Sequence, residues 1–183
     1  MGIGTKLNPK LCAFIEHQPL FFVATAAPDG RVNVSPKGMN TLRILDDTRI
    51  RWLNLSGSGN ETAAHLRASS RMTLMFCAFE GRPMILRVYG QARTSHPRDA
   101  QWEEKATAFS PLAGSRQIFD LKIDLIQTSC GSGVPFMRFV KNRGEEELVP
   151  FYEQMGPGGV INYWKRKNTV SIDGMATGIL DDD

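Results

Sequence analysis

Apolar and polar residues alternate with a period of two over most of this chain, which marks half-buried strands joined by tight turns. A short amphipathic helix comes first, over residues 9–18, with Leu11, Phe14 and Ile15 on one face. Leu20 to Ala26 is rich in aromatic and β-branched residues and reads as a buried strand. Pro28-Asp29-Gly30 turns it back into Arg31 to Ser35, the second arm of a hairpin. Pro36-Lys37-Gly38 should end that arm, because proline cannot donate to a central ladder. Strands follow at Asn40 to Leu45 and Arg49 to Leu55, then a short helix from Ala63 to Arg67. Arg71 to Phe79 and Met84 to Arg93 form a second hairpin around Gly81. Pro97 to Phe109 has the clearest helical pattern, with Trp102, Ala106 and Phe109 on one face. Gln117 to Gln127 reads as a strand with one wet face. Two helices, near 145–155 and 158–168, and a turn at Ser171 to Gly174 complete the chain. Residues 1–8 and 176–183 read as flexible tails, with Asp181-Asp182-Asp183 frayed.

Six or seven strands joined mainly by hairpins predict an all-β fold with a few short helices, closed or split into an antiparallel barrel. At 183 residues the chain suits a single domain. Its net charge of +3 argues against a dedicated nucleic-acid binder but fits a small anionic ligand. No apolar run approaches the ~20 residues of a membrane span. The first nine residues lack the apolar centre of a signal peptide, so the expected location is the cytoplasm. The three cysteines (Cys12, Cys77, Cys130) and three histidines (His17, His65, His96) have no metal-ligand spacing, and no metal site is expected. Cys77 reads as core, while Cys130, in a polar loop, is a candidate reactive thiol.

The one stretch with evident binding chemistry is Ser56-Gly57-Ser58-Gly59-Asn60-Glu61-Thr62, between a strand and a helix. Unpaired N–H groups and the positive end of the helix dipole favour a phosphate at such a junction. Read alone, Ser58-x-x-Glu61 is equally well an ordinary capping box. Gly57-Ser58-Gly59 also matches part of the dinucleotide fingerprint. The third glycine is missing, however, and hairpins surround the motif where a Rossmann fold needs strand–helix–strand crossovers.

With these pieces in place, residues 10–175 resemble the pyridoxamine 5′-phosphate oxidase-like proteins, the flavin-mononucleotide (FMN)-binding split barrels. The resemblance rests on Asn33 to Gly38, Leu55 to Leu66, Met72 to Gly81 and Gln127 to Pro135, and it is closest to a subgroup without an assigned activity. It implies a homodimer with FMN at the subunit interface and an oxidoreductase acting on a small molecule. The phosphate would lie on Ser58, Gly59, Asn60 and Thr62, and the flavin ring along Val34, Ser35, Pro36 and Lys37. Lys37 would be the nearby cation. The loop holding Cys130, Gly131, Gly133 and Val134 would complete the ring site from the second subunit, with Trp164 and Arg166 as further candidates. No catalytic acid or base stands out.

The departures are specific. The oxidases follow their turn serine with Arg-Lys, whereas Gly59-Asn60 follows Ser58 here, so phosphate binding would rest on backbone, hydroxyls and a more distant cation. Glu61 should point away or reach back onto the helix start. In the oxidases' Q-x-R-V-x-G strand, Ile85 stands at the glutamine position while Arg87, Val88 and Gly90 match. The C-terminal R-x-x-P substrate segment is missing, so pyridoxamine phosphate is not the expected substrate. A deazaflavin-dependent reductase of the same fold is one alternative, and a flavin- or haem-binding sensor or storage protein another.

Overall fold

The alternating runs become eight strands: β1 (Gly2–Gly4), β2 (Phe21–Thr25), β3 (Asn33–Lys37), β4 (Leu42–Asp46), β5 (Arg49–Leu55), β6 (Arg71–Cys77), β7 (Ile85–Ser95) and β8 (Ser115–Ser129). Five helices intervene: α1 (Pro9–His17), α2 (Glu61–Ala68), α3 (Trp102–Ala106), α4 (Arg143–Glu146) and α5 (Leu148–Lys167). The computed structural model describes residues 2–180. All the strands pair antiparallel in one sheet, in the order β3-β2-β6-β7-β8-β5-β4, with β1 added alongside β8. No strand–helix–strand crossover between parallel neighbours occurs among them, which removes the Rossmann alternative.

The sheet curls into a barrel, because side chains from strands far apart in that order meet in its centre. Phe21 on β2 touches Trp52 on β5 edge-on at 6.1 Å, although β6, β7 and β8 lie between them in the sheet. Trp52 stacks on Phe119 at 4.5 Å and Phe21 on Phe76 at 5.9 Å, so one aromatic cluster ties four strands together. The edges β3 and β4 face the split and are joined by a short link in which Met39 and Asn40 both take positive φ (62° and 53°). This is the antiparallel barrel that the pattern predicted, in the split form that the resemblance implied.

Four local expectations are revised. Pro36 and Lys37 remain in β3, opposite Phe22 and Phe21, because β3 is an edge strand, where a residue without an N–H is tolerated. The helix expected over 97–109 shrinks to α3: the Asp99 carboxylate accepts the His96 N–H (2.8 Å) in a turn, and tight bonds such as Phe109 N to Ala106 O (2.9 Å) close the other end. Its apolar face still packs, with Trp102 and Phe109 buried against Leu53 and Ile118. The single wet face of β8 ends at a bulge. Pairing shifts there from Gly90–Ile123 to Tyr89–Leu125, which leaves Leu125 exposed and buries Ile126. The tails are also packed: β1 pairs with β8, Leu7 is buried, and Thr177 and Ile179 are buried at the other end. Asp181 to Asp183 lie outside the described residues. The two expected tail helices are observed as α5, broken at Gly156 (φ 67°) just before Pro157.

Candidate functional site

The glycine-serine turn at the end of β5 is held from below by α5. Ser56 Oγ accepts a hydrogen bond from the Trp164 indole N–H (2.7 Å) and donates to Gly114 O (2.7 Å). Asn168 Nδ2 donates to Gly57 O (2.8 Å). The Asn60 side chain turns down the same way, donating to Val170 O (2.7 Å) and Lys167 O (3.3 Å). Asn60 therefore occupies the cap position of α2 without making a capping bond, and Ser58 stays exposed. The capping-box reading fails: neither side chain satisfies the first N–H groups of α2. Glu61 does reach back, its carboxylate accepting the N–H groups of Asn60 (3.0 Å) and Ile172 (3.4 Å).

A cation that the sequence reading missed lies under this turn. Arg116, at the start of β8, is 2% exposed and donates from Nη1 to Gly57 O (3.1 Å) and from Nη2 to Gly59 O (2.6 Å). Its buried Nε has no partner, and no carboxylate pairs with it among the described residues. Burial pulls its pKa down to about 10, a fall partly offset by Tyr152, Tyr163 and Glu61. Lys37 is the second cation, its Nζ 5.6 Å from the centre of the Trp52 ring. Burial brings the Lys37 pKa to about 8; repulsion from Arg116 adds to the fall and Glu61 opposes it. Ser35, Lys37, Asn60, Glu61, Thr62 and Arg116 thus line one narrow cleft with two cations against one carboxylate. This guanidinium reaches the turn from another strand, 57 residues beyond Gly59 in the chain. Antiparallel pairing of β5 with β8 sets Asn54 opposite Gln117 and Leu55 opposite Ser115, so Arg116 necessarily enters beside the turn. That strand pairing is the signal that would have found it.

A buried polar network backs the cleft from β3. Asn33 Nδ2 donates to both Thr62 Oγ1 (3.1 Å) and Thr25 Oγ1 (3.2 Å), and Ser35 Oγ donates to Asn33 Oδ1 (2.8 Å). Thr25 Oγ1 in turn meets His65 Nδ1 at 3.1 Å. Alternation along β3 puts Asn33, Ser35 and Lys37 toward the cleft, and Val34 and Pro36 outward.

Of the residues singled out from sequence, Ser35, Lys37, Asn60, Thr62 and Gly59 converge here, Ser58 sits exposed on the turn, and Val34 and Pro36 belong to the adjoining strand. Cys130, Gly131, Gly133 and Val134 are not brought to it within one chain. They follow the far end of the 15-residue β8, at most about 45 Å along the strand from Arg116 at about 3.3 Å per residue. Trp164 is buried beneath the turn in its own chain, which removes it as a candidate for the ring's other face, while Arg166 is exposed.

Residues 7–130 match the family model described as pyridoxamine 5′-phosphate oxidase. The pyridoxamine 5′-phosphate oxidase family protein ustO of Aspergillus flavus is 32% identical over 185 residues, spanning 92% of this chain and 74% of that one. Among solved structures, a putative pyridoxamine 5′-phosphate oxidase from Lactobacillus delbrueckii superposes with a TM-score of 0.53 at 16% identity, covering 68% of this chain and 95% of that one. A pyridoxamine 5′-phosphate oxidase-related, FMN-binding protein from Nostoc punctiforme gives 0.50 at 14% identity, covering 72% and 89%. At such identities the structures attest the fold.

Proposed function

The chain belongs to the pyridoxamine 5′-phosphate oxidase family, and from that premise we propose that it binds FMN and acts as a small flavin-dependent oxidoreductase on a small organic molecule. The observation that carries this reading is Arg116: a buried guanidinium with an unpartnered Nε, beside Lys37 and the uncapped start of α2. An arginine with no carboxylate partner in a protein interior is costly unless a ligand supplies the counter-charge. A phosphate in the cleft would do so, and the residues present fit one. Lys37 and Arg116 would neutralise it, with Thr62 and the first N–H groups of α2 as neutral donors. When bound, the flavin supplies the hydride chemistry.

The reading includes a homodimer. Val32 and Val34 are 71% and 60% exposed beside an edge strand, and a second copy would cover them. A second copy is also the route by which the Cys130 to Val134 loop would reach the flavin.

The test is titration of flavin-free protein with FMN, followed by quenching of flavin fluorescence. Saturable binding that weakens as pH rises through about 8 is expected, because Lys37 is a cation below that value and neutral above it. The phosphate keeps its second charge down to about pH 6, so affinity should peak between about 6 and 8. Lys37→Met should cost roughly 10-fold at pH 7 and flatten the profile. Protein that fails to take up added FMN at pH 7 would refute the reading. Glu61→Gln should tighten FMN by about 3- to 10-fold at pH 7, since it removes a like charge while its amide oxygen still accepts the Asn60 N–H. Calorimetric titration of that variant checks the sign.

A further inference from the structure

The hydrogen-bond network on β3 dictates more than the presence of an anion site. An amide carries two hydrogens on nitrogen and accepts only on oxygen; a hydroxyl donates once. Asn33 spends both hydrogens, one on Thr25 and one on Thr62, and its oxygen takes the Ser35 hydrogen. Thr62 therefore only accepts within the protein, and its own hydrogen has no acceptor among the described residues. Ser35 is the reverse: its hydrogen is committed and only lone pairs remain for the cleft. Both side chains line that cleft. Thr25 Oγ1 also shares a hydrogen bond with His65 Nδ1 (3.1 Å), and the buried His65 Nε2 has no hydrogen-bond partner.

We infer that Asn33 is a positioning residue that sets the polarity of the cleft, making Thr62 a donor and Ser35 an acceptor toward the ligand. The cleft then requires an anionic oxygen at Thr62 and, next to it, a hydroxyl or N–H at Ser35. That combination describes the phosphomonoester of a polyol rather than a bare inorganic anion, a diphosphate or an uncharged polyol. The inference rests on the proposed phosphate site and specifies which ligand atoms each side chain meets. Asn33 is 9% exposed and Thr62 is 6% exposed, so water competes little for either arrangement.

The experiment compares FMN with riboflavin, which has the same polyol but no phosphate. Thr62→Val should weaken FMN by roughly 10-fold and leave riboflavin unchanged, with Thr62→Ser restoring FMN affinity. Ser35→Ala should weaken FMN and riboflavin by the same factor. Asn33→Asp replaces the donor by an acceptor that draws the Thr62 hydrogen inward. It should therefore cost FMN at least about 30-fold in the wild-type background and several-fold less in the Thr62→Val background, where only the added charge beside the phosphate acts. Should Asn33→Asp fail to fold by circular dichroism, the Thr62 and Ser35 variants still decide the matter. An Asn33→Asp loss that persists undiminished without Thr62, a Thr62→Val effect on riboflavin equal to that on FMN, or a Ser35→Ala loss confined to FMN would each overturn the inference while leaving the phosphate site standing. Wild-type protein that binds neither ligand would refute both.

Discussion

Arg116→Met is expected to lower the affinity for FMN at least about 100-fold while moving the melting temperature by only a few degrees. The two halves of that result have separate causes. Arg116 uses two of its five N–H donors on Gly57 O and Gly59 O, which leaves three, the buried Nε among them, uncommitted to the protein. Removing one member of a buried, hydrogen-bonded charge pair typically costs 2–5 kcal/mol of binding, or about 30- to several-thousand-fold. Folding of the ligand-free protein loses much less. The guanidinium lacks a carboxylate partner, and the fall of its pKa to about 10 records how poorly its charge is solvated there. Methionine fills similar space without that penalty, and Gly57 O keeps the Asn168 amide as a donor. Arg116→Lys should fall between the two, retaining charge but losing the fork that spans both carbonyls. Thermal melts in the absence of flavin, with affinity measured separately, resolve the halves. Unchanged affinity would move the phosphate to another site. A melting temperature that collapses would make Arg116 a bracket for the turn instead of a ligand-binding residue.

Gly90→Ala is expected to destabilise the barrel by about 4 kcal/mol or more, which for a chain of this size lowers the melting temperature by about 10 °C. The cause is steric. Gly90 does not need a left-handed backbone; it needs the absence of a side chain. A Cβ there would overlap the Lys122 carbonyl oxygen and lie 2.8 Å from its carbon, and both atoms belong to the backbone of β8. The close approach falls at the bulge, where pairing shifts from Gly90–Ile123 to Tyr89–Leu125 across Asp124. Relief would require the longest strand pair in the sheet to separate, along with the Arg116 end of β8 that it positions. Circular dichroism melts of the alanine variant test this directly, and a melting temperature equal to wild type would refute the close approach.

The hairpins were legible because their signal is local. Alternation over five to eleven residues marks a strand whichever partner it finds, as for β2, β6 and β7. Pro28-Asp29-Gly30 marks its turn by backbone chemistry alone, and Gly30 takes φ 92°. Glu61 could be expected to fold back because a carboxylate is favoured at a helix start. Other features escaped for equally physical reasons. β1 is three residues, two of them glycine, and carries no period. The helix over 97–109 had the right apolar face, but Asp99 prefers to close a turn on His96, an effect that periodicity does not weigh. The bulge in β8 reverses the alternation through one extra residue.

Residue order alone thus determined the fold class and the place of the glycine-serine turn between β5 and α2. Those depend on period, turn chemistry and residues adjacent in sequence. Only the folded barrel decided how the turn is equipped. β5 lies against β8, so Arg116 arrives from 57 residues away. α2 lies against β2 and β3, so Asn33 can orient Thr62 and Ser35 at once. Trp164 and Asn168 brace the turn from a helix more than a hundred residues downstream. Charge and hydrogen-bond polarity at a point depend on every group within a few ångströms, and chain separation has no bearing on that distance.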